Sequence, residues 1–171
     1  MAGHGEKRSF LISTMGGIEY AIPTSQIREI VHIPELLRPI GLPDVLHGFL
    51  NFEQQLLPVI RLDVLFEIDS IEINLFSPIV LLRPDIADFC LLFDTVERVV
   101  EINTDFLIAA NPEHTFNGCI EAQINQQNGA IFLLRLDRIL TEKETRSIRD
   151  FSEQSVRRMT RMPLPPERLS P

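Results

Sequence analysis

The residues able to do chemistry are few and scattered. Histidines stand at positions 4, 32, 47 and 114, and the two cysteines are Cys90 and Cys119. A metal site needs such ligands in close, repeated spacing, and neither His4, His32, His47 and His114 nor the cysteines offer it. Asp85, Asp88 and Asp94 are a set from which a pair of carboxylates could do general acid/base work. They flank apolar runs, however, where Asp commonly bonds the backbone of a turn. No serine lies in a nucleophile elbow, and no glycine-rich loop opens a helix to cradle phosphate. No catalytic residue, no metal ligand and no cofactor is therefore expected. Cys90 and Cys119 lie far apart, each in an apolar run, and are expected to be two buried thiols in a reducing compartment.

The elements that would have to position any site read mostly as short strands. The chain has 171 residues, 44% of them hydrophobic, which is enough for a packed interior. Its net charge of −8 excludes nucleic acid as a natural partner, because an acidic surface repels phosphate. No apolar run is long enough to span a bilayer, so no membrane insertion is expected. The opening MAGHGEKRSF lacks the apolar core of a secretory signal, and the expected location is cytoplasmic.

Along the chain, Phe10 and Ile12 stand at a spacing of two between Ser9 and Ser13, Gly16-Gly17 makes a turn, and Ile18, Tyr20 and Ile22 repeat the spacing, which predicts a hairpin. Thr24 is placed to cap one helical turn through Ile27. Residues 29–33 suggest a strand, a loop with Pro34, Pro39 and Pro43 follows, and Pro43-Asp44 predicts the start of a short helix. Leu62 to Phe66 is expected to turn helically. Ile79 to Leu82 and Phe89 to Phe93 are continuous apolar runs, as in strands buried on both faces. Val96, Val99, Val100 and Ile102 continue the sheet with a break near Glu97-Arg98. Residues 116–136 read as a hairpin about Asn128-Gly129, a pair that tolerates positive φ. From Glu142 to Met162 the pattern becomes helical, with Ile148, Phe151, Ser155, Met159 and Met162 on one face. Pro163, Pro165 and Pro166 then stop the helix.

The segment HGFLNFEQQLLPVIRLDVLF, residues 47–66, is two apolar runs about a polar break. Pro58 marks an edge or a bend, since proline cannot donate to a sheet ladder. This segment, with YAIPTSQIREIV, LLFDTVERVVEI and FNGCIEAQINQQNGAIFLLRLDRIL, resembles four ordered blocks of the CheW-like family, the adaptor domain of bacterial chemosensory arrays. The resemblance runs from about Phe10 to Leu140. It implies a mainly β fold of two small five-stranded SH3-like β-barrels packed side by side, spanning residues 8–140. An amphipathic helical extension at 141–162 and a Pro-rich disordered tail at 163–171 would follow.

The resemblance also implies a function without catalysis. Such a domain couples the regulatory domain of a chemotaxis histidine kinase to the cytoplasmic tip of methyl-accepting chemoreceptors, or to an equivalent input, for swimming or another motility output. The partner-binding surface is expected at Glu29, Val45, Leu46, Phe49, Asn51, Glu53 and Gln54, with Val45, Leu46 and Phe49 forming an exposed apolar patch. One departure stands out. The family usually has Arg then Gly after the residue matching Phe52, where this chain has Glu53 and Gln54. Arg61 stands where an Asp is common. Glu29 and Glu53 are then expected to repel if they are close, and the loss of Gly at 54 suggests a different turn. Two readings of the reversal stay open: drift on a surface that has lost its receptor role, or retuned specificity for another partner. Two other function classes compete: a ligand-sensing double barrel, which needs a closed apolar pocket with convergent polar groups, and a low-turnover enzyme, which needs perturbed titratable groups in a cleft.

Overall fold

The chain begins in one sheet, leaves to build a second, and returns to finish the first. A computed structural model describes residues 4–32, 35–69, 72–111, 113 and 115–161. Strands β1 (Lys7–Met15) and β2 (Ile18–Pro23) form a hairpin about Gly16 and Gly17, whose φ values of 60° and 77° need glycine's freedom. Then β3 (Ile27–His32), β4 (Leu46–Phe52), β5 (Gln55–Arg61), β6 (Pro78–Leu82) and β7 (Cys90–Leu92) build a five-stranded sheet in the order β3-β6-β7-β5-β4. Helix α1 (Leu62–Leu65) follows β5. The first sheet is completed by β8 (Thr95–Asn103), β9 (Ile108–Ala109), β10 (Ile120–Gln126) and β11 (Gly129–Leu134), in the order β8-β1-β2-β11-β10-β9. Its sixth strand is the two-residue β9.

Strand β1 shows why the two sheets stay together. Phe10 and Ile12 enter a core belonging to the first sheet, while Leu11 and Met15 enter a larger core shared with β4 to β7. In β2, Ala21 joins the first core, and Tyr20 and Ile22 join the second. The period of two in these strands therefore sorts side chains between two apolar cores, with both faces covered. In the second sheet, β6 and β7 are buried at every position, as the continuous apolar runs predict. Each such Leu or Ile contributes about 1.5–3 kcal/mol by leaving water. Both cysteines are free and buried.

Several local expectations change. Thr24 opens a 3-10 turn, Thr24–Gln26, but does not cap it; its hydroxyl donates to Ser9 O at 3.3 Å instead. Pro43-Asp44 begins a turn closed by Leu46 N–H to Pro43 O, 2.9 Å, and no helix. Phe116–Gly118 is a 3-10 turn, so the late hairpin starts at Ile120. The break at Glu97-Arg98 is a bulge inside a continuous β8: Ile12 pairs with Arg98 and Ser13 with Val96, leaving Glu97 extra. Pro58 lies in a strand with neighbours on both sides, but β7 begins pairing with β5 only at Val59. Its missing N–H is thus outside that ladder.

Helix α2 (Glu142–Arg161) begins with a reciprocal cap: Glu144 N–H donates to Thr141 Oγ1 at 3.2 Å, and Thr141 N–H to Glu144 Oε2 at 2.7 Å. Ile148 and Ser155 are buried and Phe151 half-buried, so the predicted face packs back on the β structure. Ile33, Pro34, His114, Met162 and the Pro-rich segment 163–171 lie outside the described residues.

Candidate protein-interaction surface

The β4–β5 hairpin turns through Glu53 and Gln54, between the paired residues Phe52 and Gln55. Both take positive φ, 49° and 66°. Two successive left-handed residues make the turn whose twist matches the strands on either side, and they normally call for Asn or Gly. The left-handed conformation therefore persists without glycine. The buried side of β4 and β5 fixes their register, and the tip accepts the steric cost.

Arg28 supplies what the sequence reading missed. It is the extra residue of a bulge in β3, between Ile27 and Glu29. Its guanidinium donates to Glu53 Oε2 at 2.5 Å and sits 4.8 Å from the centre of the Phe52 ring. Since β3 and β4 are the outer strands of the second sheet, this contact joins its two opposite edges. In the first sheet, residues 104–107 alone connect β8 on one edge to β9 on the other. Both sheets are thereby curled into lobes. The expected Glu29–Glu53 repulsion is replaced by a Glu53 with its own cation. Because the Glu53 side chain is 67% exposed, the pair stabilises by only a few tenths of a kcal/mol.

The expected apolar patch is not exposed. Leu46 and Phe49 are 3% and 1% accessible, and Val45 is half-buried. The backbone of Phe49 bridges to Leu37, and its ring stacks on Phe151 of α2 with centroids 6.1 Å apart. What remains at the surface is polar: Glu29, Asn51, Glu53 and Gln54. Large apolar side chains are exposed elsewhere, Leu75 at 78% and Phe76 at 81%, on a turn where Asn74 Oδ1 accepts from Phe76 N–H at 2.8 Å. Apolar residues directly after an Asn that favours turns are the signal that could have found them.

The groups with chemical potential are placed apart. Asp85 pairs with Arg83, Asp88 lies 4.0 Å from Arg149, and Asp94 accepts from Gly16 N–H at 2.8 Å. Burial pushes the Cys90 thiol up to about 12 and the Cys119 thiol to about 11, which keeps both protonated at neutral pH. Burial likewise raises Tyr20 to about 12. Among the described residues, no group of His, Cys, Asp and Glu is gathered to hold a metal ion. No described helix is long and apolar enough to cross a membrane.

Two curled sheets sharing one core, the second inserted between β2 and β8 of the first, define a two-lobed SH3-like β module. The chain belongs to the CheW-like domain family, whose model matches residues 9–144. Its fold is also that of the scaffolding protein TtCheW from Thermoanaerobacter tengcongensis, with a TM-score of 0.71 at 18% identity, covering 81% of this chain and 97% of the other. No curated protein matches the chain in sequence.

Proposed function

We propose that this chain is a non-catalytic, cytoplasmic adaptor that couples a chemotaxis histidine kinase to chemoreceptors or to an equivalent input protein. The observation that carries the reading is the family match at 9–144, which spans both lobes. The proposed partner surface is the polar hairpin tip, Asn51, Glu53 and Gln54, with Glu29 and Arg28 on β3 and the half-buried Val45 at the strand entry. Leu46 and Phe49 are buried in the core and leave that surface. The Arg28–Glu53 bridge ties β3 to the tip with an acid on the hairpin and a base on the strand. This favours retuned specificity over drift, because a structured charge pair presents a defined pattern to a partner. A receptor or input protein offering a basic group to Glu53 fits that pattern. The ligand-sensing alternative gains no support from the groove of about 360 Å³ between α2 and β5, which is partly open to solvent. The test is co-purification of the protein with the kinase regulatory domain and with a receptor-tip fragment from the same cell. Retention of the kinase domain is the expected result, and retention of neither would refute the adaptor reading.

A further inference from the structure

A second bulge, at the start of β4, points to a binding site unrelated to the hairpin tip. Leu46 pairs with Ile60 and Gly48 with Val59, so His47 is the extra residue. Bulges re-aim a side chain out of the alternation of a strand, and they recur beside functional sites. Here the pocket of about 330 Å³ that His47 lines is also lined by Arg38, Asp44, Arg61 and Val64.

The pocket is built by the backbone. Leu37 exchanges two backbone hydrogen bonds with Phe49, 2.9 and 2.8 Å, which lays residues 36–38 across β4. They can lie so close because residue 48 is glycine. A Cβ there would meet Leu36 Cβ and Leu37 O at 3.0 Å and Arg38 Cγ at 3.3 Å. On the other side, Arg61 N–H donates to Val45 O at 2.7 Å. Arg38 and Arg61 thus reach one pocket with His47 from two different segments, residues 36–38 and the end of β5.

Of the two cations around that imidazole, one is held in an ion pair and the other is not. The buried Asp63 is engaged by Arg61, Nε to Oδ1 at 3.2 Å and the terminal nitrogen to Oδ2 at 2.5 Å. Arg38 has no ion-pair partner among the described residues. Burial lowers the His47 pKa first, then the positive charges of Arg38 and Arg61, against a smaller opposing pull from Asp63. Asp44 is the one other titratable group among the described residues that line the pocket. Arg38 therefore sets beside the imidazole a cation that no ion pair among the described residues neutralises, and an arriving anion can pair with it.

We propose that Arg38, His47 and Arg61 form an oxyanion-binding pocket, taking a carboxylate or a phosphate-type group. Arg38 donates from the exposed side and Arg61 contributes its charge while held by Asp63. His47 takes up a proton as the anion enters, because a nearby negative charge favours the imidazolium. Binding is consequently proton-linked and tightens as pH falls.

The experiment follows the His47 imidazole by NMR, assigned with a His47→Gln sample. The protein is titrated with sulfate and, separately, acetate at constant ionic strength, since neither anion changes charge between about pH 6 and 8. The expected result is a saturable shift of His47 with a raised pKa, stronger at the lower pH. Arg38→Ala should weaken the anion effect about tenfold, the scale of one charge-assisted hydrogen bond, while the rest of the spectrum stays folded. Saturation by sulfate alone assigns a phosphate-type ligand, and saturation by acetate as well assigns a carboxylate. A His47 pKa indifferent to both anions overturns the proposal. So does an equal response in Arg38→Ala, which would mark general ionic screening.

Discussion

Phe49 of β4 lies against Phe151 of α2, with ring centroids 6.1 Å apart and planes 17° from parallel. The helix that ends the described chain thereby seals the apolar side of the hairpin on which the family signature sits. The exposed residues of the hairpin are then polar ones at and beside its tip, Asn51, Glu53, Gln54 and Gln55. Stacked aromatic pairs add to area burial, so this contact helps hold α2 on the core that buries Phe49.

The helix should therefore contribute to stability. Phe151→Ala is expected to cost about 2 kcal/mol, since the side chain is only half-buried. In a thermal melt that is a fall of about 6 °C. Removal of residues 142–171 should lower the midpoint further. An unchanged midpoint would show that α2 does not dock on this protein's own lobes.

The hairpin tip carries backbone strain that glycine would relieve. Gln54 has φ 66°, and Gln54→Gly is expected to stabilise by about 1 kcal/mol, relief in the folded state outweighing the added freedom of the unfolded chain. Denaturant titration measures this. Destabilisation would mean that the Gln54 side chain makes a contact worth more than the strain.

Exchanging the charge at the tip should now do harm. Glu53→Arg places a second cation beside Arg28 and should destabilise by a few tenths of a kcal/mol, given the exposure of the pair. Arg28→Glu combined with Glu53→Arg should recover most of the loss. A double-mutant cycle measures the coupling, and zero coupling would show that the bridge is not formed in solution.

The buried thiols set an alkaline limit. A thiol whose folded pKa is raised stays protonated, while its unfolded counterpart ionises above the ordinary value of 9.0. The unfolded state then binds fewer protons, so stability falls as pH rises above about 9. At neutral pH, a thiol reagent should label Cys90 and Cys119 only after denaturation. Rapid labelling of the native protein would contradict their burial.

Much of the strand order was legible because apolar runs and turns are local signals. Gly16-Gly17, the runs at 79–82 and 89–93, and Asn128-Gly129 each carry their own physics. What the sequence hid was non-local. The bulges at Arg28 and His47 shift a side chain by one position in a ladder, and that depends on a partner strand far away in sequence. Strand alternation alone makes Glu29 the neighbour of Glu53, whereas the bulge brings Arg28 to it. Phe49 looked available because the helix that covers it lies a hundred residues later. β1 carries apolar side chains on both faces, Phe10 and Ile12 on one and Leu11 and Met15 on the other, and what covers each face is fixed by strands distant in sequence.

The central claim, that the chain is an adaptor, is tested most directly by calorimetric titration of the purified kinase regulatory domain into the folded protein. The adaptor account predicts saturable one-to-one binding. No heat and no saturation with folded protein, either full length or lacking 142–171, would contradict it.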